Sequence, residues 1–328
     1  IPAARCEISP DPGPRPIRIG ISACLLGHEV RFDGGHKRDA FLTQTFGRFV
    51  EWVPVCPEVE CGFGTPREAM RIVSGNDGER LMTIRSGTDM TASMERFSRS
   101  RTSALEGEDL SGYVLKKDSP SCGLERVKVY NRYGFAARTA RGLFAAAVVE
   151  RFPQLPLEEE GRLADPRLRD NFVERVFAYW RLRNLFRARW TSGDLVRFHT
   201  SHKLLLLAHA PEAYRQLGRF VAGAAELPPQ QVEQRYVERF MQALTQLTTP
   251  RLHTNVLQHM AGYFKDRLDS ASKHELLDTI TDYRRGLIPL VVPLTFVRHY
   301  VRMFGVAYLA GQTYLEPHPR ELMLRNHV

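Results

Sequence analysis

The sequence predicts an α/β domain with a mainly parallel sheet, followed by an all-α domain. Three observations carry that expectation. Up to about residue 150, short β-rich runs alternate with helical stretches. Beyond residue 165, apolar residues recur at three and four spacing in every segment. The charge also changes where the texture changes. Residues 1–160 hold 22 basic and 22 acidic side chains, residues 161–328 hold 24 and 15, and the whole formal charge of +9 belongs to the second half. At 328 residues, 43% apolar and 25% charged, the chain is long enough for two cores.

The elements follow in order. Residues 1–16 contain five prolines and no apolar stretch, so they read as a disordered arm and not as a secretory signal. Residues 17–22, 49–55 and 112–117 read as strands, and 127–130 as a possible fourth. Helical stretches lie around 39–48, at 89–105 with Thr91 as a start, and at 142–151. Strand and helix at this spacing give parallel, Rossmann-like units over 17–152. The acidic, proline-containing run in 153–164 reads as a linker. Residues 165–328 form the basic all-α domain. Asp165-Pro166 caps its first helix, and further helices are expected at 193–209, 211–222, 229–247, 250–267, 272–285 and 293–304. No run approaches the ~18 consecutive apolar residues of a membrane span.

Five cysteines are too few, and odd in number, for a disulfide framework, and a cytoplasmic, reducing environment is expected. Cys6 lies in the arm. Cys24 follows the first strand, Cys56 ends the second, and Cys122 comes shortly after the third. Ligands of an open parallel sheet bind outside the carboxyl ends of its strands, so three strands would deliver one thiol each to one rim. Clustered thiolates point to zinc or iron–sulfur, and three protein ligands leave one position open. Small buried residues beside strand ends are the plain alternative.

Several motifs together resemble the thiouracil desulfidase (TudS-like) family: Ser22-Ala23-Cys24-Leu25-Leu26-Gly27, Val30-Arg31-Phe32-Asp33-Gly34, Val55-Cys56-Pro57-Glu58-Val59 with Thr65-Pro66-Arg67, and Ser119-Pro120-Ser121-Cys122-Gly123. The second half resembles the YbgA-like helical domain through Ser201-His202-Lys203, Gly262-Tyr263-Phe264-Lys265, Gly286-Leu287-Ile288-Pro289-Leu290 and Tyr314-Leu315-Glu316-Pro317-His318-Pro319. The fusion is similar to the RudS-like tRNA 4-thiouridine desulfidases. The resemblance implies a [4Fe-4S] cluster on Cys24, Cys56 and Cys122, with one iron free to take the thiocarbonyl sulfur of the substrate. Sulfur would stay on the cluster, and water would supply the replacing oxygen without net redox change. Cys61, five residues after Cys56, is a rival ligand; Cys56 is favoured because its Cys-Pro-Glu motif is the family-like one and ends the strand.

Glu58 and Ser119 are the candidates for proton handling, Glu58 as a general base two residues from a ligand and Ser119 as a hydrogen-bond donor to a nascent oxyanion. Asp-Ser-Pro-Ser is equally a natural turn, and Asp33 with two glycines reads as a turn first. Arg67 and Arg71 could contact a phosphate. In the basic half, Arg181, Arg183, Arg187 and Arg189 interleave with Trp180, Phe186 and Trp190, a pattern suited to phosphate contact and base stacking, and Lys203 is a further candidate. A solvated helix face over a packed aromatic row is the alternative. The expected activity is desulfuration of 4-thiouridine in tRNA by a cytoplasmic enzyme with no membrane or evident protein partner. Alternatives are a desulfidase of free thiouracil or thiouridine nucleotides, or a non-catalytic RNA-binding protein.

Overall fold

The computed structural model describes residues 15–75, 78–187 and 189–327. Nearly all of the proline-rich arm, with Cys6, lies outside the described residues. Four strands, β1 (Arg18–Ser22), β2 (Glu51–Val55), β5 (Leu110–Leu115) and β8 (Leu157–Glu159), form an all-parallel sheet in the order β2-β1-β5-β8. Between β2 and β5 the chain inserts β3 (Met70–Gly75) and β4 (Gly78–Thr83). After β5 it adds β6 (Val127–Tyr130) and β7 (Ala136–Ala140). These make a second sheet, β4-β3-β6-β7, in which only the β3–β6 pairing is parallel. Val127–Tyr130 is thus a strand, as its alternation implies, but it belongs to the smaller sheet.

The segment read as a linker supplies the fourth strand of the main sheet. Its carboxylates are consumed locally: Glu159 Oε1 accepts the Leu124 N–H at 2.7 Å, and Glu158 Oε1 accepts from Arg162 Nε at 2.7 Å. Acidic side chains that find backbone and guanidinium donors can be buried, which composition alone does not reveal.

Both faces of the main sheet are covered. Helices α2 (Thr91–Leu105) and α3 (Leu143–Arg151), which follow the short α1 (Pro57–Glu60), pack Met94, Leu105, Phe144 and Val148 against Val53, Val55, Tyr113 and Leu115. On the other face, Ile19, Ile21 and Val114 meet Leu42 and Phe46 from the 39–48 stretch, which forms two short non-α helical segments. The same cluster contains Phe172, Val173 and Val176 of α4 (Pro166–Arg187), so the first half of that helix closes the α/β layer. Its second half, with Ala178 and Leu182, enters the separate core of the helical region.

That region continues through α5 (Ser192–His209), α6 (Pro211–Ala222), α7 (Pro229–Leu244), α8 (Pro250–Ala261), α9 (Ser270–Arg284), α10 (Val291–Phe304) and the short α11 (Ala307–Ala310). The expected starts hold to within two residues, and those of α5 to α9 each carry a local cap or proline. Thr191, Thr249 and Asp269 accept N-terminal backbone N–H groups, and Pro occupies the first turn of α6, α7 and α8. Among the described residues no helix is long and apolar enough to cross a membrane.

Candidate active site

The chain leaves β1 to one side to make β2, then crosses back to make β5 on the other side of β1. The switch in direction between β1 and β5 opens a crevice at the carboxyl end of the sheet, the place where such folds bind ligands. A cavity of about 390 Å³ occupies this end, and Cys24, Cys56 and Cys122 all line it. Cys24 sits in a short 3₁₀ turn directly after β1, and Cys56 precedes α1 at the end of β2. The Cys122 loop is held against α3, where Phe144 and Ala145 N–H donate to Ser121 O at 3.0 and 3.1 Å. Gly142 permits this approach: a Cβ there would lie 2.5 Å from the Ser121 carbonyl carbon.

The three thiols form one electrostatic group. Burial pushes Cys24 up to about 11, partly offset by Lys116 and Arg31 and reinforced by Cys56. Burial raises Cys56 as well. It also raises Cys122, against a hydrogen bond from Ser22 and with the charges of Glu58, Cys24 and Cys56 adding to the rise. Cys61 stands apart. It ends α1, does not line the cavity, and its raised thiol is influenced by burial and then by Arg96, not by the other cysteines.

Glu58 lines the same cavity and is anchored at both oxygens. Ser121 Oγ donates to Oε1 at 2.8 Å, and Arg67 donates to Oε2 from Nε at 2.8 Å and from a terminal nitrogen. Arg67 also reaches Val30 O at 3.0 Å and Gly64 O at 2.9 Å. Its guanidinium is therefore committed within the protein, not offered to a phosphate. Arg71, on β3, instead lies over the Tyr130 ring at 5.1 Å. Three donors leave the Glu58 carboxylate one of its roughly four acceptor positions, on Oε1.

Ser119 also lines the cavity, and its Oγ accepts the Cys122 N–H at 3.1 Å and the Ser121 N–H at 3.3 Å. The turn reading and the site reading thus coexist: the oxygen shapes the loop, and the hydroxyl proton remains to be donated. Asp33 is a turn residue, accepting from Gly35 N–H at 3.1 Å and lying outside the cavity lining. Sequence reasoning missed Ser22, whose Oγ accepts the Lys116 N–H at 2.9 Å, and Ser121. It also missed Arg31, Lys37, Lys116 and Lys117, which line the cavity. These residues are distant in sequence, so only the fold assembles them.

Three arginines of the row in the second half are engaged within the protein. Arg181 is largely buried and donates to Pro317 O at 2.5 Å. Arg183 pairs with Asp109 at 2.6 Å and donates to Leu110 O at 2.7 Å, and Arg187 pairs with the same Asp109. These side chains tie α4 to the start of β5. Phe186 and Trp190 pack edge-to-face at 5.2 Å against the helical core, so neither is free to stack on a base. Arg189 is exposed and Lys203 half-buried, and neither has an ion pair among the described residues.

A family model described as 2-thiouracil desulfurase matches residues 19–160, and one described as a protein of unknown function (DUF1722) matches residues 203–319. The chain is 38% identical over 161 residues to the uncharacterized protein YbgA of Escherichia coli (strain K12), covering 49% of this chain and 95% of that protein. It is 34% identical over 111 residues to the uncharacterized protein YbbK of Bacillus subtilis (strain 168), covering 32% and 72%. Among solved structures, the [4Fe-4S]-dependent thiouracil desulfidase TudS matches with 28% identity and a TM-score of 0.37, over 45% of this chain and 93% of that one. With an α/β part that matches the 2-thiouracil desulfurase model and is related to YbbK, followed by a helical part related to YbgA, the chain belongs to the family of YbgA.

Proposed function

We propose that this protein removes sulfur from 4-thiouridine in tRNA, leaving uridine, with a [4Fe-4S] cluster held by Cys24, Cys56 and Cys122. The observation that carries the reading is the convergence of exactly those three thiols on one 390 Å³ cavity at the switch point of the sheet, with Cys61 outside it. The donor set fits: thiolates are the soft ligands of iron–sulfur clusters. When bound, the cluster would supply an open, soft iron position for the thiocarbonyl sulfur.

The chain's own residues perform the remaining work. Arg67 and Ser121 fix the Glu58 carboxylate, whose free Oε1 position takes a proton from the water that replaces sulfur. The Ser119 hydroxyl, immobilised by two backbone donors, directs its proton at the developing pyrimidine oxygen. Lys37 and Lys117, which line the cavity and have no ion pair among the described residues, give a polyanionic substrate a favourable approach, while Lys116 is paired with Glu160 and Arg31 with Asp33. A base buried in folded tRNA must leave its stack to enter the cavity.

Bulk tRNA incubated anaerobically with reconstituted protein, then digested to nucleosides, is expected to lose 4-thiouridine and gain an equal amount of uridine. Turnover of free 4-thiouracil with no loss from tRNA would overturn the substrate assignment. Glu58→Gln is expected to keep its iron while turnover falls about 10²- to 10⁴-fold, measured side by side with iron content. Full turnover in that variant would remove Glu58 from the mechanism.

A further inference from the structure

The β6–β7 hairpin is unlike the rest of the α/β part. From Arg126 to Arg141 the sequence holds five basic residues, Arg126, Lys128, Arg132, Arg138 and Arg141, and no acidic one. In a half whose overall charge is zero, this is a local excess. Val127 and Val129 face inward and are buried, while residues 131–139 are all exposed. At the tip Tyr133 is 70% and Phe135 75% exposed, the two most exposed large apolar side chains among the described residues.

The tip is built, not loose. Asn131 Oδ1 accepts the N–H groups of Tyr133 at 2.9 Å and Phe135 at 3.0 Å, and Asn131 N–H donates to Phe135 O at 2.9 Å. Gly134, at φ +83°, supplies the left-handed turn that the loop needs. The two rings are thus presented to solvent on an ordered loop, with the Arg132 guanidinium 4.8 Å from the Tyr133 ring centre. Exposed aromatics that a fold holds in place, among unpaired cations, match a stacking platform for unpaired bases with phosphate contacts alongside. Arg126, Lys128 and Arg132 have no ion pair among the described residues.

The hairpin is also tied to the cavity. Arg138 donates to Asp118 Oδ1 at 2.7 Å, and Asp118 lines the cavity. On the other side β6 pairs with β3, whose first residue, Met70, lines it too. Gly134 lies four positions before Arg138, about 13 Å along extended chain. We propose that this hairpin is an RNA-binding arm, stacking unpaired bases next to the thiolated nucleotide on Tyr133 and Phe135 while Arg126, Lys128 and Arg132 contact phosphates. The inference rests on the reading that the substrate base is part of an RNA.

The test uses the full-length, cluster-loaded protein and two double variants, Tyr133→Ala with Phe135→Ala, and Lys128→Ala with Arg132→Ala. All four side chains are exposed, so folding is expected to be retained. Anisotropy titrations with 4-thiouridine-containing tRNA are paired with turnover of free 4-thiouracil. Loss of the aromatics is expected to weaken tRNA binding about tenfold or more, with free-base turnover unchanged. Loss of the two cations is expected to lower the log–log salt slope by about 1.4, that is about 0.7 per single-strand phosphate contact. Affinities within twofold of the parent protein overturn the arm while leaving the desulfidase reading intact. The same holds if the variants lose only adhesion to anionic lipid vesicles. Equal loss of tRNA and free-base turnover overturns it too, by making the hairpin part of the cavity. Hairpin-dependent tRNA binding without sulfur removal from the tRNA would instead sink the substrate reading and keep the arm.

Discussion

Cys24→Ala, Cys56→Ala and Cys122→Ala are each expected to yield a protein that retains less than one iron per chain after anaerobic reconstitution, against about four for the parent, with desulfuration abolished. Cys61→Ala is expected to behave as the parent in both respects. The contrast follows from placement. Cys24, Cys56 and Cys122 lie on one cavity and influence one another electrostatically, whereas Cys61 closes the far end of a four-residue helix beside Arg96. Iron bound equally well by Cys56→Ala and lost in Cys61→Ala would reverse the assignment of the third ligand. Because the free thiols are raised by burial, cluster loading must also displace protons. The yield of reconstitution is therefore expected to fall as pH is lowered.

The second large effect concerns stability. Glu174 on α4 is fully enclosed among partners: His209 Nε2 meets Oε1, and Arg325 from the C-terminal segment donates to Oε2 at 2.8 Å. His209 Nδ1 lies 2.6 Å from Gln246 O, so both ring nitrogens face acceptors. Arg325 additionally donates to Tyr314 O at 2.6 Å. Burial by itself would raise the Glu174 carboxyl, but His209 and Arg325 outweigh it and hold the group well below the usual carboxylate range.

Glu174→Gln leaves the buried guanidinium with only the more distant Asp170 carboxylate, at 3.9 Å, and is expected to cost about 3–5 kcal/mol, read from urea unfolding of the two proteins. Arg325→Met tests the pair from the other side, with a cost of similar size. A difference below about 1 kcal/mol in both would show that the network is incidental. The pH dependence has a definite sign. A carboxyl depressed in the folded state contributes stability that is present above its unfolded value near 4.3 and is lost as pH falls below it. The parent is therefore expected to lose more stability between pH 5 and 3 than Glu174→Gln does.

Much of this architecture was legible along the chain because its determinants are local. Helix starts are set by Thr191, Thr249, Asp269 and the prolines beside them, and strands by short β-branched runs whose ends carry the cysteines. The strand Leu157–Glu159 was not legible, since three consecutive glutamates read as solvated loop until the donors on Arg162, Leu124 and Lys116 are brought to them. The arginines of α4 illustrate the opposite case. Their spacing suits a polyanion, yet Asp109 and Pro317, more than seventy residues away, already hold three of them.

By itself, then, the sequence determined the two-part organisation, the family and a short set of candidate thiols, because periodicity, caps and motif order depend only on neighbours along the chain. Only the tertiary structure decided which three thiols share a cavity, that Arg67 serves Glu58, and that the exposed Tyr133 and Phe135 stand beside unpaired cations on the β6–β7 hairpin. Those are facts about what lies across space from each side chain. They depend on long-range packing, which residue type and spacing do not encode.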